Sequence, residues 1–119
     1  MEPIDLTLAL SATDGDVGLL QEVVDAFLEE YPALLAELEP AIQAGESSVV
    51  QRASHKIKGT LRLFGDVPPR ELAERLEKMG ATSSLEDAKA TFESLKLSLN
   101  SLRHQVLEAM RDIATTSPE

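Results

Sequence analysis

The segment SSVVQRASHKIKGTLRLFG, residues 47–65, contains no acidic residue and has the apolar spacing of an amphipathic helix. Its apolar residues recur every three or four positions and would share one helix face: Val50, Ala53, Ile57, Leu61 and Phe64. The opposite face holds polar, charged or side-chain-free residues: Ser48, Gln51, Arg52, His55, Lys58, Gly59 and Arg62. The pattern predicts a helix that is capped by Ser47 or Ser48, ends at Gly65 and exposes His55 to solvent.

Two neighbours of His55 on this face favour a functional role for it over that of a surface histidine without function. Gly59 lies one turn further along, in mid-helix, where glycine costs about 1 kcal/mol relative to alanine. That cost fits a surface that a second macromolecule must approach closely. Lys58 places an ammonium group on the same patch. Together the three residues predict a site that handles phosphate.

The chemistry that suits an exposed imidazole is nucleophilic attack on phosphorus. An unperturbed histidine has a pKa of about 6.5, so most rings are neutral at pH 7 and offer a lone pair without a general base. The Lys58 ammonium would neutralise phosphoryl oxygens. A docking scaffold and a purely structural bundle are the alternatives, but neither needs His55, Lys58 and Gly59 together.

Charge and composition narrow the range of partners and compartments. The net charge of −10 argues against nucleic acid and anionic membranes as partners, because both require a cationic surface. Residues 1–46 contain eleven acidic and no basic residues, whereas residues 47–65 contain four basic residues. This basic segment would steer a partner with an acidic active site toward His55.

Length and residue content predict a single domain over residues 1–119. The chain has no cysteine, which excludes disulfides, a thiol nucleophile and a cysteine zinc site. No signal-peptide pattern or membrane-spanning apolar run occurs, so we expect a cytoplasmic protein. The polar character of the exposed helix faces predicts a monomer.

Helical periodicity elsewhere predicts an all-α fold, namely an antiparallel four-helix bundle with a short extra N-terminal helix. The short helix is predicted from a cap at Asp5 to about Ser11. A long segment follows from Asp14 or Asp16 and stops at Gly45. Pro32 either kinks this segment or divides it into two helices.

The C-terminal half predicts two further helices. The first follows the connector 66–69, whose second proline suits a first helical turn, and is predicted to end at Gly80. The second is predicted to begin at a capping box of Ser83 and Glu86 and carries a long apolar stripe. Residues from about 115 onward are predicted to be disordered.

Motifs for an internal active site do not occur in the sequence. There is no GxGxxG, P-loop, nucleophile-elbow serine, HExxH or Glu-x-x-His pattern. We therefore predict no metal site, no intrinsic cofactor and no ATP-dependent catalytic site. His104 lies away from the apolar stripe of the last helix and is predicted to be a solvated surface histidine.

The segment ASHKIKGTLRLFG, residues 53–65, resembles the phosphoacceptor signature of histidine-containing phosphotransfer (HPt) domains. In that signature a small residue precedes the histidine, a Lys-Gly pair follows at +3 and +4, and a glycine follows at +10. The similarity extends over roughly residues 14–80, including Phe27, Tyr31-Pro32 and Leu76-Glu77.

This resemblance implies a bundle that relays phosphate between a histidine kinase or hybrid kinase and the aspartate of a response-regulator receiver domain. His55 would be the phosphoacceptor, Lys58 the phosphate-stabilising cation and Gly59 the notch for the receiver. The predicted partner-docking surface comprises Gln51, Arg52, Lys56, Gly59 and Arg62. The receiver would supply Mg2+.

Some residues depart from the commonest family pattern. Leu61 and Arg62 stand where many members have small residues, and Arg62 would tune partner choice or partly block docking. Phe64-Gly65 also resembles the phosphoacceptor domain of chemotaxis-type kinases. The sequence therefore leaves open whether this is a free relay protein or a piece of a larger kinase.

Overall fold

The computed structural model describes residues 4–116, with side chains up to residue 113. The described part contains α-helices and no strand, so the predicted all-α class is confirmed. The helices are α1 (Thr7–Ala12), α2 (Val17–Ala44), α3 (Ser47–Thr60), α4 (Pro68–Ala81) and α5 (Ala88–Thr116). A 3-10 turn, Arg62–Phe64, follows α3. Among the described residues we find no helix that could span a membrane.

Helices α2 to α5 form the predicted antiparallel four-helix bundle. Each packs on its neighbours in chain order, and α5 closes the bundle against α2. No Cα atom of α3 lies within 8 Å of a Cα atom of α5 among the described residues, so the two helices lie on opposite corners of the bundle. The short helix α1 packs on α2 and on the 3-10 turn.

The predicted apolar face of α3 is the face that the bundle buries. Its five residues are at most 5% exposed: Val50, Ala53, Ile57, Leu61 and Phe64. Phe64 meets Phe27 of α2 edge to face, with ring centroids 5.0 Å apart. This contact ties the end of α3 to α2 and keeps the opposite face of α3 on the surface.

The long segment is one helix, which resolves the question raised by Pro32. Helix α2 continues through both Pro32 and Pro40. Its N-cap is Asp16, whose carboxylate accepts a hydrogen bond from the Leu19 amide at 3.0 Å. Its C-cap is Gly45, the predicted stop, in the left-handed conformation at φ 70° that glycine adopts without strain.

Several predicted helix ends are wrong by a few residues. Helix α3 begins after Glu46, with no side-chain cap, so neither Ser47 nor Ser48 serves as its N-cap. It ends at Thr60 because the chain tightens into the 3-10 turn before Gly65. Asp5 accepts a hydrogen bond from the Thr7 amide, but the residue at the cap position of α1 is Leu6.

Gly80 does not end α4, contrary to the prediction. The helix runs to Ala81, and Gly80 is buried against α3. A Cβ atom at this position would lie 2.5 Å from the Gln51 amide nitrogen and 2.7 Å from the Ser47 carbonyl oxygen. Among the glycines of the chain, Gly80 has the closest backbone neighbours, so it marks a tight contact between α3 and α4.

The predicted capping box of the last helix is also wrong. Ser83 lies in the turn that closes α4, with φ 55°, and α5 begins only at Ala88. The turn is held by the Ser84 amide, which donates to the Met79 carbonyl at 2.9 Å. Helix α5 continues to Thr116, beyond the predicted start of the disordered tail, and the rest of that prediction falls on residues 117–119, outside the described residues.

Candidate functional site

His55 lies on the surface of α3, as its position in the helical pattern predicts. Its side chain is 65% exposed. The five residues predicted to form the docking surface are exposed around it: Gln51, Arg52, Lys56, Gly59 and Arg62. His104 is also exposed, on α5, at the opposite corner of the bundle from α3.

A carboxylate from α4 joins His55 and Lys58. Glu77 Oε2 lies 2.8 Å from Nδ1 of His55, and Glu77 Oε1 lies 2.7 Å from Nζ of Lys58. His55 and Lys58 are three residues apart on α3, so their side chains point to the same side and one acid can reach both. Because the Glu77 side chain is only 20% exposed, these contacts are partly shielded from water.

The environment of Glu77 favours its charged form. Burial acts to raise the pKa of this carboxyl, but the hydrogen bonds and charges of Lys58 and His55 outweigh it and hold the pKa below its usual value. Glu77 is therefore an anion at neutral pH and accepts hydrogen bonds only.

An anionic acceptor at Nδ1 determines where the ring proton lies. In the neutral imidazole one nitrogen donates and the other carries a lone pair, so the contact with Glu77 places the proton on Nδ1 of His55. The lone pair is then on Nε2. Within the described residues Nε2 has no hydrogen-bond partner, which leaves it available to a reacting group.

Acids from neighbouring helices reduce the charge of the basic segment. Arg52 pairs with Glu37 of α2 at 2.9 Å, and Lys58 pairs with Glu77 of α4. Lys56 and Arg62 form no ion pair with any described residue. The predicted positive field is thus weaker than the local sequence indicates, because helices distant in sequence contribute acids to the same surface.

Gly59 leaves a bare patch one turn after His55. A Cβ atom added there would meet no heavy atom within 4 Å. Nothing in the packing of the bundle therefore requires glycine at this position. Gly80, by contrast, is enclosed by backbone atoms of α3.

Glu77 is the site residue that sequence analysis missed. The resemblance included the Leu76-Glu77 pair, but no role was assigned to the acid. The sequence contains a signal for it. Glu77 comes four residues after Ala73 and three before Gly80, so on a helix it lies on the same side as these two residues, which are buried. An acid on the inward side of a helix requires a cationic or donor partner.

The described part of the chain contains no group of three or more His, Asp or Glu side chains placed to hold a metal ion.

The family model of the Hpt domain matches residues 22–112. The chain belongs to the Hpt domain family. The match covers α3 and α4 with His55, Lys58 and Glu77, and leaves α1 outside. As an Hpt domain, the chain has a histidine phosphotransfer role in phosphorelays. The family consists of phosphocarriers that work with receiver domains and kinases.

A solved structure has the same fold. The Hpt domain superposes on histidine-containing phosphotransfer protein B (HptB) from Pseudomonas aeruginosa PAO1 with a TM-score of 0.82, over 92% of this chain and 95% of that chain. The two sequences are 20% identical, so the likeness concerns the bundle alone. No curated protein matches the chain.

Proposed function

We propose that His55 is the phosphoacceptor of this Hpt domain and that Nε2 is the nitrogen that is phosphorylated. The contact between Glu77 and Nδ1 carries this proposal, because it keeps the ring proton on the far side of the ring from the lone pair. In the neutral ring a general base is unnecessary, since the attacking nitrogen carries the lone pair.

The transfer step exchanges one bond to phosphorus for another. As Nε2 attacks the phosphorus of a receiver aspartyl phosphate, the P–N bond forms, the P–O bond to the aspartate breaks, and the carboxylate leaves with the bond electrons. The ring becomes positively charged and keeps its proton on Nδ1, where the Glu77 anion stabilises it. The reverse step returns the phosphoryl group to an aspartate.

Lys58 is placed to stabilise the phosphoryl oxygens. Its ammonium lies on the same helix face as His55 and is partly buried, so its charge is less screened than that of a fully exposed lysine. We infer that Lys58 shifts from Glu77 toward the phosphoryl group when His55 is phosphorylated. The Mg2+ that phosphoryl transfer requires would be bound by the receiver, and the chain would need no cofactor and no ATP site of its own.

The partners are a receiver domain and a histidine kinase or hybrid kinase, which dock around His55. Gln51 and Arg52 lie on one side of it, and Gly59 and Arg62 on the other. The bare surface at Gly59 supports docking there, because a partner must bring its aspartate within bonding distance of Nε2.

Phosphorylation by a receiver provides the test. The protein is incubated with acetyl phosphate and a catalytic amount of receiver, and its intact mass is measured before and after acid treatment. We expect an acid-labile gain of roughly 80 Da, as one phosphoryl group adds. His55→Gln should abolish the gain. His104→Gln is the matched control, because it removes an exposed histidine from the opposite corner of the bundle.

Two outcomes would contradict the proposal. A mass gain that survives His55→Gln would place the phosphoryl group on another residue. Binding to receivers without any mass gain across a broad panel would instead support a docking scaffold.

A further inference from the structure

A groove lies between residues 4–10, at the start of the described chain, and the C-terminal part of α5. Its volume is about 590 Å³. None of its lining residues belongs to the site around His55, and α5 lies at the opposite corner of the bundle from α3. The groove is therefore a surface that the proposed phosphotransfer reaction leaves uncovered.

The floor of the groove is apolar. It is formed by one buried and four partly buried side chains: Leu6, Ile4, Leu10, Ala109 and Ile113. Apolar surface that remains in contact with water in the free protein favours a partner that covers it.

Helix α5 presents two parallel rows of side chains to the groove. Each row repeats every four residues: Gln105, Ala109 and Ile113 in one, and His104, Glu108 and Asp112 in the other. Such rows are the ridges between which the side chains of a second helix pack. Ala109, in the middle of the first row, is small and leaves room for a partner side chain. The spacing of this wall therefore suits a helix.

The rim of the groove is acidic. Asp5 lies on one wall and Glu108 and Asp112 on the other, all three are exposed, and no Lys or Arg lines the groove within the described residues. Glu108 and Asp112 are one turn apart, or about 6 Å of helix rise. A helix that matches this groove has an apolar stripe with Lys or Arg along both sides of it, which is the pattern of a basic amphipathic helix.

Other occupants lack the matching charge or the matching apolar surface. Residues 1–3 and 114–119, the ends of this chain, contain no Lys or Arg. A second copy carries a net charge of −10, and the apolar face of its basic helix α3 is buried. Nucleic acid and anionic lipid would be repelled by the carboxylates.

We propose that the groove binds a basic amphipathic helix of a partner protein and that this helix stays bound while His55 exchanges phosphate with a receiver. The inference does not rest on the proposed function, because the two sites share no residue. A helix bound here would hold the Hpt domain close to the partner and raise its effective concentration there without covering His55.

The test uses the full chain and a fluorescent synthetic peptide of about 18 residues, or five helical turns. The peptide carries leucines at helical spacing and lysines on both sides of them, and a control peptide has glutamate in place of each lysine. Binding is measured by fluorescence anisotropy for the unaltered protein, Glu108→Lys and Ala109→Gln. Glu93→Lys is the matched control, because Glu93 is exposed on the same helix but does not line the groove. Circular dichroism checks that each variant is folded.

We expect the lysine peptide to bind and the glutamate peptide not to bind. Glu108→Lys should weaken binding about fivefold or more, because it places like charges together in the complex. Ala109→Gln should act in the same direction, because it fills the apolar floor. Glu93→Lys should change the affinity less than about twofold, the small effect usual for a charge outside the contact. A saturating amount of peptide should leave the rate of phosphotransfer from a receiver unchanged.

Five results would overturn the inference. The lysine peptide does not bind, or the glutamate peptide binds equally well. Glu108→Lys and Glu93→Lys weaken binding equally, which would assign it to net charge. Ala109→Gln has no effect on binding, or it abolishes a self-association of the unaltered chain, which would make the occupant a second copy. Saturating peptide stops phosphotransfer, which would show that helix and receiver share a surface. Phosphotransfer by His55→Gln would contradict the proposed function alone.

Discussion

Nδ1 of His55 on α3 lies 2.8 Å from Oε2 of Glu77 on α4. The contact joins two helices and makes the orientation of the imidazole depend on the packing of α3 against α4. The second oxygen of the same carboxylate holds Lys58 at 2.7 Å. One acid thus orders both the proposed nucleophile and the proposed phosphate-binding cation.

Replacing Glu77 with alanine should remove the preference of the His55 ring for a proton on Nδ1. A neutral His55 ring could then place its proton on Nε2, where it blocks attack on phosphorus. We expect transfer from a phosphorylated receiver to slow roughly 10- to 100-fold, the range found when an orienting partner of a histidine is lost. Nitrogen-15 NMR of the imidazole should show the shift of the proton from Nδ1.

A second acid on α4 provides the control for this change. Glu71 is exposed and pairs with Arg75 within its own helix at 3.0 Å. Glu71→Ala should leave both the tautomer and the rate of transfer unchanged. An unchanged nitrogen-15 spectrum in Glu77→Ala would show that Glu77 does not set the tautomer.

Lys58→Ala should slow transfer more than Lys56→Ala. Lys58 is partly buried beside His55, whereas Lys56 is exposed and has no ion pair among the described residues. We expect a loss of about tenfold or more for Lys58, because removing a charge that stabilises the transition state costs more in a shielded site. Single-turnover transfer rates measure it. Equal effects of the two variants would assign Lys58 no role beyond general charge.

The depressed pKa of Glu77 makes a prediction about stability in acid. The usual value is 4.5, and the folded value is lower because Lys58 and His55 outweigh the effect of burial. A group with a lowered folded pKa stabilises the fold above its unfolded value and loses that contribution as the pH falls through the folded value. The unaltered protein should therefore exceed Glu77→Gln in unfolding free energy at neutral pH.

Urea denaturation from neutral pH down to about pH 3 checks this prediction. The difference between the two proteins should persist to about the usual pKa of 4.5 and shrink below it. A difference that grows as the pH falls from about 4.5 to 3 would have the wrong sign for a Glu77 carboxyl with a lowered pKa.

The sequence predicts the parts of this fold that depend on residues close together in the chain. The buried face of α3 follows from its three-four spacing. The start of α2 near Asp14 or Asp16 and its end at Gly45 follow from local capping residues. The exposure of His55 follows from the same helical pattern. Such features need no knowledge of the neighbouring helices.

Features that depend on two helices were not predicted. The contact between Glu77 and His55 joins residues 22 positions apart, and its existence depends on the rotation of α4 about its axis. The sequence predicts that Gly80 ends a helix because glycine commonly follows the last helical residue. In the structure Gly80 instead packs against α3. Local patterns contain no information that separates these two uses of glycine.

Gly59→Ala should stabilise the protein. A Cβ at this position meets nothing within 4 Å, and alanine is favoured over glycine in a helix by about 0.5–1 kcal/mol. A larger residue, as in Gly59→Gln, should slow phosphotransfer because it occupies the bare surface beside His55. Urea denaturation and kcat/KM measure the two effects. Unimpaired transfer by Gly59→Gln would exclude close approach of a partner at this point.

Gly80→Ala should have the opposite effect on stability. The added Cβ would lie 2.5 Å from the Gln51 amide nitrogen and 2.8 Å from its Cα, and backbone atoms cannot move aside as a flexible side chain can. We expect a loss of about 1–3 kcal/mol in the free energy of unfolding, the usual cost of overpacking. Gly59→Ala is the matched control, since the same methyl group is added to the neighbouring helix α3.

Gly80→Ala should also affect the contact between Glu77 and His55. Gly80 and Glu77 are three residues apart on α4, so separating α4 from α3 at Gly80 would draw the Glu77 carboxylate away from His55. Nitrogen-15 NMR of Gly80→Ala should then show the proton partly moved from Nδ1 to Nε2. A folded variant that is as stable as the original protein would show that α3 and α4 have room at this contact. A destabilised variant with an unchanged tautomer would show that Glu77 follows His55 independently of the helix spacing.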